Sequence, residues 1–484
     1  MIETNSEVND TRDSEQISES SSPYVFRHYR LIPMIVAVPM FLQSLDTSIL
    51  GTALQSISAS LQVETLHLNL AITAYLLSLA LFLPASGWLA DRFGTRRVFC
   101  SAIAIFSLAS ALCGVATSIT QIVLFRVLQG LGGAMMVPVG RLILLRSIPA
   151  AHLVAAMVWF TVPGAIGRVI GPLLGGFIVT VASWRWIFLL NIPFGVLGIV
   201  LSLMFVPDSR SDSVDRFDAA GFILMAVGLV GLVCGLETVG RNLVPMSATV
   251  CVTAIGVLAF AAYAVYGGAR VDVIIPLKLF RYKAYRAATI GGIPLRLAVG
   301  SSPIVVPLLL QLGLGFTPIE SGLMSAWLAV GAFGVRPIMQ HAIRAIGFRP
   351  IMILATLFTG ATFASYGLFT SETPRYFMFA VLFIAGVVNA LGMISMNTIG
   401  FSGVPKNLMS KATALSTMMQ QTSISLGVAL CATCLTVTAH IHGHGADHLT
   451  INDFPMTFFI VGALTCLSAF AFSRLAADEG AELR

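Results

Sequence analysis

The 484-residue chain is 57% hydrophobic and only 10% charged, with a mean hydropathy of +0.89. Soluble domains carry about 25% charged residues, so this composition excludes a soluble globular protein and reads as an integral membrane protein. The formal net charge of +6 follows from arginines at one membrane surface and gives no reason to invoke nucleic acid.

Residues 1–28 are polar, with Glu3, Glu7, Asp10, Asp13, Glu15 and Glu19 among serines. A secretory signal needs a basic start and an apolar middle. This segment has neither and reads as a disordered tail. Behind it, windows of the length a spanning helix needs, about 20 residues, recur fourteen times: 31–53, 68–90, 98–117, 119–140, 153–181, 186–206, 219–239, 247–267, 288–312, 321–342, 350–370, 375–400, 413–438 and 454–474. An even number puts both termini on one side. With that side cytoplasmic, 22 of the 28 Lys and Arg fall in inner segments, three (Arg185, Arg241, Arg375) in outer loops and the rest within spans. This asymmetry fixes the orientation.

The spans divide by their connections. The linker 207–218 follows the sixth, and the basic segment 268–287 follows the eighth. The expected fold is an all-α membrane protein with two six-helix bundles, 29–206 and 288–474, and two additional central helices, 219–267. Cytoplasmic tails, 1–28 and 475–484, close the chain. Many transporters consist of two such halves around a midplane site.

The chain is organised around Gly87-Trp-Leu-Ala-Asp-Arg-Phe-Gly-Thr-Arg-Arg-Val98, wedged between spans 2 and 3. Gly87 is expected to pack span 2 closely on a neighbour, and Gly94 to permit the tight turn. Asp91 has two openings: it accepts from N–H groups at a nearby helix N-terminus, or it pairs with an arginine. Arg92, Arg96 and Arg97 put positive charge at one face. Gly334–Arg349 is a degenerate echo, with Gly347 in the place of Gly94 and Arg344 in the place of Asp91.

Charge inside a bilayer is costly, so each instance is a candidate for function. Asp46 is the one carboxylate well inside a span; Glu237 lies near the outer end of span 7, where it can reach water. Arg126, Arg168 and Arg296 are the buried cations. At about 1.5 Å per helical residue, Asp46 and Arg126 both lie roughly 10 Å from the outer face. That depth is compatible with a pair, read either as a static structural contact or as a proton-loading site. Arg296, roughly 12 Å from the inner face, either lines a cavity or snorkels to the cytoplasm. Gln129, Asn191, Gln311, Asn389, Asn397, Gln420 and Gln421 are further buried polar side chains, suited to helix–helix hydrogen bonds or to a cavity.

Span 5 carries Gly167, Gly171 and Gly175 on one stripe with Pro163 and Pro172. The stripe reads either as a packing seam or as part of a bending, gating helix. Arg168 points off it, toward a central cavity. His440, His442 and His444 form an outer tract, a weak metal candidate against a solvated loop. Cys431 and Cys434 form a CxxC inside a span, without the second pair a metal site would need. No GxxxxGK[ST] occurs, so ATP is not the energy source within this chain. No paired acids or nucleophile–base set suggests an enzyme.

These motifs, in this order, resemble the fourteen-span drug:proton antiporter branch of the major facilitator superfamily. The resemblance rests on Gly87, Asp91, Arg92, Gly94 and Arg96 between spans 2 and 3, and on Leu45-Asp46-Thr47 through Ala53-Leu54 in span 1. It also rests on Arg126, Gln129, Gly130 and Gly133 in span 4, on Gly167, Gly171-Pro172 and Gly175-Gly176 in span 5, and on Trp184–Pro193. It implies a multidrug exporter of the inner membrane, driven by the proton-motive force without a cofactor, with Asp46 and Arg126 in proton coupling. It further implies that residues 87–96 latch the cytoplasmic side and that span 5 carries the antiporter motif. Some members work with periplasmic adaptor proteins; no residue here points to one. Departures are Gln55 where the branch has proline, Arg168 in a motif that is otherwise neutral, and a second half without an embedded acid. Three buried cations against one anion disfavour cationic cargo and favour anionic, zwitterionic or neutral amphiphiles. Arg168, Arg296, Gln129 and Asn389 are the expected cavity residues. The rival readings are a proton-coupled uptake symporter and a non-transporting receptor or scaffold.

Overall fold

The computed structural model describes residues 23–210, 216–238, 245–270, 273–405, 408–443 and 449–476. The tails through residue 22 and after 476, and His444, lie outside them. In lipid only helices satisfy their own backbone groups, and the described chain is helical accordingly. The first half holds α1 (Pro23–Leu61), α2 (Asn69–Phe82), α3 (Ala85–Phe93), α4 (Thr95–Val115), α5 (Ile119–Ser147), α6 (Ala150–Val181) and α7 (Asn191–Phe205). Next come α8 (Ala219–Thr238) and α9 (Met246–Ala269). The rest is α10 (Ile293–Leu308), α11 (Pro318–Gly334), α12 (Arg336–Ile346), α13 (Phe348–Tyr366), α14 (Arg375–Ile399), α15 (Met409–Ile441) and α16 (Phe454–Ser473).

Thirteen of these segments are long and apolar enough to cross a membrane, and the bent pair α11–α12 makes a fourteenth. Prolines set the departures from the expected spans. Pro84 divides the run 68–90 into α2 and α3, and Pro337 accompanies a 40° bend in the run 321–342. In each case a ring without N–H removes a helical hydrogen bond. α1 begins at Pro23, inside the expected tail, where proline suits a first helical turn. Gly94 (φ 99°) and Gly347 (φ 89°) take a conformation that side chains resist. Each separates a short helix from the next span, so the sequence echo is also an echo of backbone.

Helix pairing repeats. In the first half α1 packs on α6 and α7, and α4 on α5 and α7; α2 packs on α5. In the second, α10 packs on α15 and α16, α13 on α14 and α16, and α11 on α14. The halves meet along two matching seams, α2 with α15 and α6 with α11, and α1 touches α10 between them. The pair α8–α9 lies beside the α2–α15 seam. α8 contacts both of those helices, and Thr433 of α15 donates to the Leu236 carbonyl. Apolar side chains such as Leu124, Met204, Leu258 and Phe470 point outward, as a lipid-facing surface requires.

Candidate functional site

The deepest polar cluster is built on four helices. Asp46 of α1 is 1% exposed and Arg126 of α5 is 1% exposed. An Arg126 Nη1 donates to Asp46 Oδ2 (2.5 Å) and to Gln129 Oε1 (2.9 Å). Gln129, one helical turn on, donates to Asp46 Oδ1 (3.0 Å). Asn191, at the start of α7, donates to the same oxygen at 3.4 Å and to Ser110 of α4 at 2.9 Å. The guanidinium lies between the Phe188 and Tyr75 rings, 4.9 and 5.3 Å from their centroids. A desolvated charge pair is tolerable only when its remaining hydrogen-bonding groups are met, and here the carboxylate is held by three donors from two other helices. Similar depth thus becomes direct contact. Gln129 belongs to this cluster and not to the cavity, a correction to its expected place. It is completely buried on the α1-facing side of α5, a facing that spacing along one helix does not reveal.

A cavity of about 1190 Å³ lies between the halves. Its wall runs from Ser48, Pro172 and Ser302 at the blind end to Asp91, Arg141, Leu145, Arg216 and Lys411 at the basic face. Arg168, Arg296, Asn389, Asn397, Gln420 and Gln421 all line it. Arg296 does not snorkel: it is fully buried, with Nη2 donating to Asn397 Oδ1 (3.3 Å) and Nη1 to the Thr289 carbonyl (3.4 Å).

Beyond the blind end the halves are closed on one another. A Cβ on Gly322 of α11 would overlap the Pro172 carbonyl of α6, and one on Gly176 would overlap the Pro318 carbonyl. Gln311 donates to the Thr52 carbonyl of α1 (3.2 Å) and to Ser321 (3.3 Å). The stripe Gly167, Gly171, Gly175 packs on α1: added Cβ atoms would meet the Phe41 carbonyl, Ser48 and Thr52. α6 stays helical through Pro163 and Pro172.

At the basic face Asp91 pairs with Arg146 of α5 (2.5 Å), a partner outside its own motif. The role at a helix N-terminus falls to Asp208 of the linker. It accepts from the Arg96 N–H (3.2 Å) and lies 3.6 Å from Arg97 Nε, while Thr95 N–H donates to the Ser209 carbonyl (3.0 Å). A carboxylate there meets the positive end of the α4 dipole. Gly87 does not pack against a neighbour. A Cβ there would meet nothing within 4 Å, because it faces the cavity mouth.

Glu237 does not reach water. It is 2% exposed and accepts from Thr73 of α2 (2.5 Å), because α8 turns its polar edge to α2. His440 bonds the Thr436 carbonyl and His442 bonds Asp453 (2.7 Å each), and no group of three metal-binding side chains occurs among the described residues. Cys431 and Cys434 are free thiols. Sequence reasoning missed Arg146, Asp208 and Ser110; Ser110 lies well inside a span, and a lone serine there carries no signal.

The family model of the Major Facilitator Superfamily matches residues 36–428. A protein of Yersinia enterocolitica described as "Putative multidrug resistance protein MdtD" is 38% identical over 447 residues, 92% of this chain and 95% of its own. A Yersinia pestis protein of the same description is 38% identical over 448 residues, 92% of this chain and 96% of its own. Among solved structures, a POT family transporter in complex with 5-aminolevulinic acid superposes with a TM-score of 0.69 at 14% identity, covering 92% of this chain and 95% of that one. A D-xylose-proton symporter superposes with a TM-score of 0.65 at 14% identity, covering 92% and 97%. At such identity the solved structures show the fold alone.

Proposed function

We propose that this chain, which belongs to the Major Facilitator Superfamily, a family of membrane transporters and not of enzymes, is a proton-coupled exporter of small amphiphilic molecules. The observation that carries the reading is the buried pair Asp46–Arg126, bridged by Gln129 and set apart from the cavity. A proton on Asp46 would neutralise the carboxylate and free Arg126, whose guanidinium then needs another acceptor. Two discrete arrangements of one buried cluster are what coupling to a conformational change requires. The multidrug-resistance description of the relatives supports export over uptake.

The basic face is cytoplasmic by the excess of Lys and Arg, which puts both termini inside a cytoplasmic membrane. The cavity then opens inward and α6–α11 closes the outside. Asp46 would load its proton when the outer contacts part. Asp91, Arg92 and Arg96, with Gly87 and Gly94, would latch the inner side in that state. Gly167, Gly171, Pro172, Gly175 and Gly176 would let α6 move against α1 and α11. The bundles 29–206 and 288–474 would rock about the cavity, with 219–267 moving alongside the seam they flank.

The test is flux in proteoliposomes loaded with a fluorescent organic anion or a lipophilic cation under an imposed pH gradient. Probe movement opposite to the proton, lost in Asp46→Asn, is the expected result. Movement with the proton would make the protein a symporter, and wild-type flux in Asp46→Asn would end the coupling argument.

A further inference from the structure

We infer that Arg296 is a receptor for the oxyanion head group, a carboxylate in the first instance, of the amphiphiles this cavity accepts. The inference rests on the transport reading and deepens it. Arg296 is completely buried in the wall of the cavity, yet no carboxylate lies within 4.0 Å of it among the described residues. Its two hydrogen bonds go to neutral oxygens at the long end of the range, 3.3 and 3.4 Å, and its Nε has no partner. A guanidinium offers five donors in a planar fork, so most of its capacity is unspent. The other fully buried arginine shows the contrast: Arg126, whose Nε likewise has no partner, holds a carboxylate at 2.5 Å.

A second buried donor lies on the same wall. Asn389 is 4% exposed; its Oδ1 accepts from Thr359 (2.9 Å), and its Nδ2 has no partner. Asn389, Met393 and Asn397 are four residues apart on α14, and all three face the cavity. The spacing from Asn397, beside Arg296, to Asn389 is about 12 Å along the helix. Unsatisfied buried groups are costly, and both of these are donors. The missing ligand is therefore an acceptor at each end, and at Arg296 an anion. Between them Val299, Leu328 and Met393 supply apolar wall. The shape fits an elongated amphiphile with an anionic head at Arg296 and a carbonyl, ether or hydroxyl oxygen reaching Asn389.

The test is binding to the full chain in lipid nanodiscs, with empty nanodiscs as the blank. The probes are a matched pair, pyrenebutyrate and pyrenebutylammonium. The anion is expected to bind at least about tenfold tighter than the cation. Arg296→Gln should weaken it about tenfold or more, the range of a lost charge-assisted hydrogen bond. Arg296→Lys should recover part of the loss, because the charge remains and the fork does not. Should Arg296→Gln fail to fold, Arg296→Lys carries the comparison, weakening the anion and not the cation. Equal binding of the two probes, no anion binding above the blank, or an unchanged anion affinity in a folded Arg296→Gln would overturn the inference. Binding without any pH-driven flux in the wild type would sink the exporter reading and leave the receptor standing.

Discussion

The closed contact between α6 and α11 makes a quantitative prediction. Gly322→Ala adds one methyl where the Pro172 carbonyl already stands. A backbone oxygen cannot rotate away as a side chain would, so the two helices must part. Overpacking of this kind costs about 1–3 kcal/mol, and it is paid only in the state where the helices touch. At about 1.4 kcal/mol per factor of ten, the balance between closed and open outer faces should shift roughly 5- to 150-fold toward open. Spin labels at Leu145 and Ala345, both exposed at the basic face on opposite halves, report this by double electron–electron resonance in a background without the seven native cysteines. The short-distance population should grow in Gly322→Ala as the cavity mouth closes. Gly268→Ala is the control, since a Cβ there meets nothing within 4 Å. Unchanged distances in a folded Gly322→Ala, or an equal change in the control, would refute the argument that this contact belongs to one state of a two-state equilibrium.

Three further outcomes are expected. Asp46→Asn leaves Arg126 buried without its carboxylate, at a cost of about 3–5 kcal/mol; thermal denaturation of the purified protein should show the loss, and Arg126→Gln in the same chain should restore part of it. Gly94→Ala places a side chain at φ 99°, beside the Asp208 carboxylate, and should cost about 1–3 kcal/mol, seen as a lower melting temperature and weaker flux. Asp218 lies just ahead of α8. Burial pushes its carboxyl up, but bonds from Tyr266 (2.6 Å), the Gly221 N–H (2.9 Å) and the Ile274 N–H (3.1 Å), with the Arg270 charge, outweigh that and hold it below its ordinary 3.8. A depressed folded-state value gives stability that is complete above about pH 4 and is lost as the pH falls through the folded value. Melting of the wild type should therefore decline more steeply below pH 4 than that of Asp218→Asn, and parallel curves would show that the carboxylate holds nothing.

Much of this was legible in the sequence because a bilayer punishes exceptions. Asp46 and Arg126 stood out as charges in apolar runs, their depths agreed, and they touch. Gly94 and Gly347 marked turns that side chains resist. The direction a helix face takes was not legible. Spans such as α2 are apolar all round, so nothing in their periodicity says which side meets a neighbour. Gln129 was assigned to the cavity and lies behind it, and Gly87 was assigned to a packing contact and lies in the open. Glu237 sat near a span end, where water is the simplest partner, but Thr73 of another helix covers it. Arg146 was hidden for a different reason. An arginine at the end of a span looks like every other arginine at that face, and only the fold brings it to Asp91.

The position of α8 and α9 has a consequence for traffic. A two-bundle transporter has two flanks along which a molecule dissolved in lipid can slip sideways into the central chamber. One flank, α2 with α15, is screened by α8, which is bonded to both: Thr73 to Glu237, and Thr433 to the Leu236 carbonyl. The other flank, α6 with α11, has no such screen among the described residues. A molecule dissolved in lipid thus meets an added helix pair on one side of the chamber and the bare bundle seam on the other.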